Sequence, residues 1–581
     1  MSKQEWNMYK YLRKLLMIVI ALPVLSCARD GKDCDYLPRT PESSPSVYVV
    51  NLSGRSADEQ LAVMSLQGIA NRERAEIYTY LNKSCGMGDY WLEMYRRKGY
   101  ITETQEYDDV YELIRLFKDK LKGIVVTDPE CSATVNLASN IAGTEDCIIA
   151  SPSNLETIRN VTGKPVLFDL REYGFKGQYD AFVWYKKNIF PKQRHDVLAS
   201  AVDKCYRAGN CDWDIFRDYL IEFRIPTFWI PATDAEDYDA RYEKEVIKML
   251  KETPVNIPLL GFWYWPVEGE EGISEFDGVK FIGKYGKFLL VNTDAGNYSY
   301  HSGVHTRMKK YVQTKSGNGK RREYDPDARY VALIMNESGD APCYFLYDGF
   351  YPRQWNDPDR GKVPLSYGIT PSLRMLAPAV LEDIYENKTD NDYFFTSISG
   401  AGYCYPFEGY GSLTENPEKT ADEYFNGLTA RNMKIMDHEM LGLYTHSGGS
   451  WSDADRALAE HSIYGINGLK SVISGMHRIA YVGEEANEMH GDVSLHHTVT
   501  FWSYDDLTWN DTSKDSVAVD HMENEIRKYG GESHFIQAMF YSWHYGPRRL
   551  NQLKERLEPD GYVFVTLDEF DRLYRESIND K

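Results

Sequence analysis

The sequence lacks the short motifs that identify several large classes of enzyme. It has no CxxC pair, so its 9 cysteines give no zinc-type spacing. It also has no GxGxxG loop for a dinucleotide, no HExxH helix for zinc and no GxSxG nucleophile elbow. We therefore expect neither a metal nor a cofactor, and no serine nucleophile.

Long apolar runs are equally scarce. Residues 15–25 are an apolar run behind a basic segment, and no other stretch approaches membrane-spanning length. This run has the length of the hydrophobic part of a secretory signal, and Cys27 follows it in a pattern that resembles a lipobox. We therefore expect residues 1–27 to be a lipoprotein signal and the protein to be exported and lipid-anchored in the cell envelope. An ordinary cleaved signal with a chance cysteine is the alternative.

Positive charge is in short supply. The chain has 66 Lys and Arg against 87 Asp and Glu, a net charge of −21. Such a charge repels nucleic acid and anionic lipid surfaces, so we expect no nucleic-acid partner and membrane contact only through the lipid. Tyrosine is abundant instead, with 44 Tyr against 23 Phe. Rings with an apolar face and a hydrogen-bonding end suit sugar ligands, although most of these tyrosines are expected to cover core edges.

The cysteines beyond Cys27 lie singly along the chain. In an oxidising compartment Cys205 could pair with Cys211, or Cys131 with Cys147. Free buried thiols fit the sequence equally well.

A chain of 581 residues is too long for one hydrophobic core, so we expect several domains. Short apolar strands alternate with helical segments near the start of the folded region, which predicts a small parallel sheet. The predicted fold class is therefore multidomain α/β, with small N-terminal domains before a C-terminal (β/α) barrel-like domain. Its predicted divisions are a flexible tether at 28–46, an α/β domain at 47–170, a mainly helical domain at 171–255, a strand-rich domain at 256–325 and the barrel at 326–581.

The barrel prediction depends on the repeated strand and helix pattern after residue 326. About 250 residues of such units is the size of a (β/α) barrel. An open doubly wound sheet is the alternative. Barrel active sites lie on loops after the carboxyl ends of the strands, so polar residues at those positions are the candidates for function.

One of these loops carries the segment GAGYCYP at residues 400–406. It matches the pattern Gly-x-Gly-Tyr-x-Tyr-Pro and resembles a family of glycoside hydrolases named for that pattern, whose activity is itself inferred. The resemblance implies several small N-terminal domains, a motif-bearing barrel and a carbohydrate substrate. Tyr403 and Tyr405 would then supply a stacking ring and a hydroxyl group to a sugar. A rigid turn whose rings only pack is the alternative.

Glycoside hydrolysis usually needs two carboxyl groups across the scissile bond. Glu337 and Asp340 follow the first barrel strand and are the first candidates for catalysis, with Glu408 after the motif as a further partner. The alternative for Glu337 and Asp340 is a structural role, in which they cap the next helix or stabilise a turn. The remaining loops contribute candidate sugar-binding residues, which are His446, Asp505, Trp543 and His544.

The leading hypothesis is thus a hydrolase of glycans outside the cytoplasm that uses two carboxyl groups in the barrel. A metal-dependent deacetylase or a lyase acting on polysaccharide is a second hypothesis. A glycan-binding lipoprotein without catalysis is a third.

The lipid anchor is directly testable. Replacing Cys27 by Ser removes the thiol that would carry the lipid, so Cys27→Ser is expected to lose labelling by radioactive palmitate in cells. The wild-type chain, expressed to the same level, is the control. Labelling that persists in Cys27→Ser rules the anchor out.

Overall fold

The computed structural model describes residues 35–80, 87–203, 216–231, 233, 238–263, 275–313, 322–347, 349–444, 451–475, 486–501, 507–530 and 533–579. Within these ranges no helix is both long and apolar enough to cross a membrane. Several predicted features lie outside the described residues, namely the signal with Cys27, the cysteines Cys205 and Cys211, and the candidate sugar-binding residues His446 and Asp505.

The first sheet is parallel, in the order β2-β1-β3. Its main helix begins at a capping box, in which the Ser56 hydroxyl accepts from the Glu59 N–H and the Glu59 carboxylate accepts from the Ser56 N–H. The elements are β1 (Ser46–Asn51), α1 (Ala57–Asn71), β2 (Ile77–Tyr80), α2 (Gly88–Arg97), β3 (Glu103–Tyr107) and α3 (Val110–Leu116).

A second parallel sheet follows at once, in the order β5-β4-β6. Its elements are β4 (Gly123–Val126), α4 (Thr134–Glu145), β5 (Cys147–Ala150), α5 (Leu155–Thr162), β6 (Val166–Asp169) and α6 (Gln178–Asn188). The segment 47–170, predicted as one α/β domain, therefore contains two sheets. Short strands in βαβ order look alike in sequence whichever sheet they join. Cys131 and Cys147 are free and buried.

A third parallel sheet has the order β10-β9-β7-β8. It draws on both segments predicted as separate helical and strand-rich domains, because the predicted boundary near residue 255 falls between β8 and β9. The elements are β7 (Leu198–Ser200), α7 (Arg217–Glu222), β8 (Thr227–Phe228), α8 (Ala240–Glu252), β9 (Ile257–Gly261), α9 (Glu275–Lys284), β10 (Lys287–Leu290) and α10 (Tyr298–His301).

The C-terminal part is a closed parallel barrel, as predicted. Among the described strands, seven form the ring β11-β12-β13-β14-β15-β17-β18, and β11 pairs with both β18 and β12 to close it. This closure excludes the open doubly wound sheet. The strands are β11 (Arg329–Met335), β12 (Leu365–Ile369), β13 (Asp392–Thr396), β14 (Met440–Tyr444), β15 (Ser471–Gly475), β16 (Asn487–His490), β17 (Val493–Phe501), β18 (Phe535–Phe540) and β19 (Tyr562–Val565).

Helices surround this ring. β16 lies antiparallel to β17, and β19 pairs with the first half of β11 outside the ring. The helices are α11 (Pro342–Leu346), α12 (Leu373–Leu376), α13 (Pro378–Glu386), α14 (Pro417–Asp422), α15 (Ala430–Met436), α16 (Asp453–Leu458), α17 (Asp515–Gly530), α18 (Pro547–Leu557) and α19 (Leu567–Asn579).

A buried amide occupies the inside of the barrel where β11 ends. Asn336 is fully buried, and the Ser397 hydroxyl donates to its side-chain oxygen at 2.9 Å and to its backbone oxygen at 2.7 Å. Two glycines on neighbouring strands make room for it. A Cβ atom added at Gly442 would lie 2.0 Å from the side-chain oxygen of Asn336, and one added at Gly475 would lie 2.7 Å from its side-chain nitrogen. Asn336 thus holds the start of the loop that carries Glu337.

Residues 36–45, part of the segment expected to be a flexible tether, are packed on the fold. The Tyr36 hydroxyl donates to the Ala401 carbonyl at 2.5 Å, and the Pro38 carbonyl accepts from Tyr219 at 2.6 Å. Thr40 is almost completely buried. Proline and serine make this segment resemble a linker, but side chains distant in sequence hold its backbone.

Asp218 on α7 is a buried acid that should make stability depend on pH. It is fully buried and accepts from the Ser299 N–H at 2.9 Å. Burial raises its pKa from 3.8 to about 6. The folded protein therefore holds this proton more tightly than the unfolded chain, and this contribution to stability is lost as the pH rises through 6.

Asp218→Asn keeps an acceptor for Ser299 and removes the ionisation. At pH 8 the variant is expected to gain on the order of 3 kcal/mol in free energy of unfolding over wild type, with little difference below about pH 4. Urea denaturation at both pH values measures it. Asp390→Asn, at an exposed position, is the matched control. A variant no more stable than wild type at pH 8 would contradict the assignment.

Candidate active site

A cavity of about 440 Å³ lies at the carboxyl ends of the barrel strands. The loops after β11, β13 and β18 line it together with the end of β14, as expected for a barrel. The other side of the cavity is closed by residues of the third sheet's domain, among them Phe262, Glu275, Val291 and Asp294. Of the candidates named from sequence, the structure brings four to this cavity: Glu337, Asp340, Tyr403 and Trp543.

Glu337 is held by several donors from two loops. Its Oε2 accepts from the Ser542 N–H at 3.2 Å and from the Ser542 hydroxyl at 2.8 Å. Its Oε1 accepts from Trp543 Nε1 at 3.1 Å and from the Ser338 hydroxyl. Burial raises the pKa of Glu337, while these hydrogen bonds act against the rise because they favour the carboxylate.

Asp340 lies in the same loop in a less favourable environment for charge. It is only 5% exposed. Burial is the largest cause that raises its pKa well above the usual range, and the negative charges of Glu275 and Glu337 raise it further. Of these carboxyl groups, Asp340 is the one most strongly shifted toward its protonated form.

Glu275 is a third acid of the cavity, and sequence reasoning missed it. It begins α9 in the third sheet's domain, where the residue is exposed while its carboxyl group faces the cavity. Desolvation of that carboxyl raises its pKa and the charge of Glu337 adds to the rise, whereas a hydrogen bond with Tyr403 lowers it. The glycine- and glutamate-rich sequence before Glu275 does not indicate that this acid lies near the barrel. Its position there depends on how the two domains pack.

The GAGYCYP loop joins the third sheet to the barrel. Tyr403 and Leu289 form an antiparallel bridge, with N–H to carbonyl distances of 2.8 and 2.9 Å. A Cβ atom at Gly402 would lie 2.4 Å from the ring of Phe288 and 2.9 Å from the Leu289 carbonyl oxygen. Only glycine permits this approach. The motif therefore serves both domain contact and the site.

The motif tyrosines play different parts. The hydroxyl groups of Tyr403 and Tyr405 lie 2.6 Å apart, and both rings are buried. Tyr403 lines the cavity, whereas Tyr405 is not among the described lining residues and supports the Tyr403 hydroxyl. Tyr444 also lines the cavity, and its buried hydroxyl has no hydrogen-bond partner in the described part of the chain. Among the described lining residues, this hydroxyl therefore has an unused capacity for a hydrogen bond.

Trp543 forms a fixed wall. Its ring meets Tyr344 edge to face at 4.9 Å, and the Arg353 guanidinium lies 4.8 Å from the ring centre. His544 is not among the described residues that line the cavity. Its pKa is lowered by burial first and then by the positive charges of Arg353 and Arg549. The structure thus places Trp543, but not His544, on the described wall of the cavity.

Glu408 lies away from the other acids. It ends the short 3-10 turn Pro406–Glu408 and forms an ion pair with Lys280 at 3.3 Å. It is not among the described residues of the cavity wall. A residue that follows the motif closely in sequence is thus directed elsewhere, because the turn changes the direction of the chain.

Comparison with known proteins agrees with this architecture. Four domain signatures of one family match the chain: a first domain at 46–119, a second at 121–192, a third at 208–303 and the "GxGYxYP putative glycoside hydrolase C-terminal domain" at 327–575. The chain belongs to the GxGYxYP family.

One solved structure shows the same fold over most of the chain. A protein from Bacteroides thetaiotaomicron VPI-5482, described as a "putative hydrolase", superposes with a TM-score of 0.71 at 17% identity, covering 94% of this chain and 98% of the other. A "putative polysaccharide deacetylase" from Mycobacterium smegmatis covers 44% of this chain and 94% of its own at 12% identity, but its TM-score of 0.28 supports no argument. No curated protein matches the chain.

Several described histidines of this GxGYxYP protein have structural partners. His496 contacts Asn487 at 2.7 Å and Asp571 at 3.3 Å. His301 and His305, spaced four residues apart, contact Tyr95 and the Thr40 carbonyl respectively. The described ranges contain no group of three or more His, Cys, Asp or Glu residues that could hold a metal ion.

The tight approach at Gly402 predicts a stability defect. Gly402→Ala is expected to lower the free energy of unfolding by roughly 1–3 kcal/mol, because the Leu289 backbone cannot move away without breaking the bridge. Urea denaturation measures the loss. Gly427→Ala is the control, since the nearest atom to its Cβ is 3.7 Å away. Wild-type stability in Gly402→Ala would show that the two domains do not depend on this contact.

Proposed function

We propose that this protein is a glycoside hydrolase in which Asp340 and Glu337 carry out acid and base chemistry in the barrel cavity. One observation carries the proposal: two carboxyl groups of one loop line the same cavity in contrasting environments. Pairs of acids whose pKa values are separated by their surroundings are typical of glycosidases.

The environments suggest a role for each acid. Asp340 keeps its proton because burial and neighbouring negative charges oppose its ionisation, so it is suited to protonate the leaving glycosidic oxygen. Glu337 receives hydrogen bonds on both oxygens, which favour its carboxylate form. It is suited to act as the base that activates water or as the nucleophile.

The walls suit a sugar. Trp543, Tyr344 and Tyr541 line the cavity with aromatic surface, which packs against the C–H faces of sugar rings. The Tyr444 hydroxyl offers a hydrogen bond to a sugar hydroxyl. The cavity volume lies within the usual range for small-ligand sites.

We also propose that the enzyme acts on glycans outside the cytoplasm and is held in the cell envelope by a lipid on Cys27. The basic and apolar start of the chain and the cysteine that follows it support this location.

The roles of the two acids are tested by their isosteric amides. Asp340→Asn and Glu337→Gln are each expected to lower kcat/KM by about 1000-fold or more, because each loses a group that transfers a proton or attacks in the transition state. Release of reducing ends from a broad glycan panel measures activity, and thermal unfolding confirms the fold.

Glu408→Gln is the matched control and is expected to keep wild-type activity, since that carboxylate pairs with Lys280 outside the described cavity wall. Full activity in both Asp340→Asn and Glu337→Gln would refute the assignment.

A further inference from the structure

We infer that the cavity selects sugars without acidic substituents, and that Glu275 of the third sheet's domain contributes to this selection. The inference rests on the proposed hydrolase function and names its substrate class. The cavity is inferred to exclude sugars that carry a carboxylate, sulfate or phosphate group on the ring beside Asp340.

The ionisable groups around the cavity are acidic. Four acids line it: Glu275, Asp294, Glu337 and Asp340. The described lining residues include no Lys, Arg or His. An anionic sugar would therefore enter a negative field without a cation to pair with among these residues.

Two described cations that contact neighbours of the cavity, Arg353 and Lys280, are engaged elsewhere. Arg353 stacks on the Trp543 ring and donates to the Trp543 carbonyl at 3.1 Å. Lys280 pairs with Glu408. Neither is among the described residues that face the cavity. To pair with either of these two described cations, an acidic substituent would have to displace one of these contacts.

The acids of the cavity already repel one another. The charges of Glu275 and Glu337 both raise the pKa of Asp340, and the charge of Glu337 raises that of Glu275. A further buried anion would meet the same repulsion and lose its hydration. Exclusion of a wrong ligand by unpaired charge is a common source of specificity.

The groups that remain suit hydroxyl-bearing sugars. Carboxylates accept hydrogen bonds from sugar hydroxyls, and the buried Tyr444 hydroxyl has no other partner among the described residues. Trp543 and Tyr344 supply stacking surface. The cavity thus offers acceptors and apolar faces in place of positive charge.

The test uses substrates that differ only at C6. Aryl glucosides and galactosides are compared with the matching glucuronides and galacturonides, in both anomers, with the full-length protein. We expect kcat/KM for the uronide to be at least 100-fold below that of its neutral partner. A uronide hydrolysed as well as its neutral partner overturns the inference.

Variants assign the part played by Glu275. Glu275→Gln removes one negative charge, so the ratio between neutral and acidic substrates should fall several-fold. The alkaline limb of the pH profile should also move to lower pH, because Asp340 loses a charge that raises its pKa. Glu408→Gln should change neither the ratio between neutral and acidic substrates nor the pH profile. An unchanged ratio in Glu275→Gln removes this residue from the inference.

Failure of the hydrolase proposal can be distinguished from failure of the inference on charge selection. If no pair is hydrolysed, the wild-type protein is tested for binding of neutral and uronic-acid oligosaccharides by saturation-transfer NMR. Binding of the neutral members alone supports the selection. Preferential binding of the acidic members, or binding of neither, overturns it.

Discussion

The structure of the site depends on the backbone bridge between Leu289 and Tyr403. β10 is an edge strand of the third sheet, and an edge strand leaves peptide groups that need partners. The motif loop supplies those partners through two hydrogen bonds, at 2.8 and 2.9 Å. Together with the bonds from the Gly411 and Leu413 N–H groups to the Gly283 and Lys284 carbonyls, both at 2.8 Å, this contact holds the third sheet's domain on the barrel. α9 of the same domain contributes Glu275 to the cavity wall. Gly402 is what permits the approach.

The bridge also explains why Glu275 joins the two carboxyl groups of the barrel loop in one cavity. Such an arrangement opposes folding, because buried acids of like charge repel one another. Glu337 is compensated by the donors of Ser338, Ser542 and Trp543, whereas Asp340 is left with a strongly raised pKa. Uneven compensation of neighbouring acids is a cost to stability that functional sites often carry. It favours the protonated form of Asp340 over that of Glu337, which is the difference on which the proposed acid and base roles depend.

Much of the barrel could be predicted from sequence, because alternating strands and helices leave local patterns. The positions of Glu337 and Asp340 followed from the rule that barrel sites lie after strand ends. Side-chain positions were harder to predict where the chain turns sharply. Glu408 follows the motif closely but pairs with Lys280, and Tyr405 stands behind Tyr403. The partition of the N-terminal sheets also escaped prediction, since the register of short parallel strands depends on contacts between distant segments.

The sequence by itself determined the repeated strand and helix units, the motif with its two glycines, and the acids of the loop after β11. These are local features, set by periodicity, backbone freedom and spacing. Only the tertiary structure decided that Glu275 joins those acids, that Tyr444 offers its hydroxyl to the cavity and that residues 36–45 pack on the fold. Each of these outcomes depends on contact between segments far apart in the chain, and no local pattern encodes such contacts.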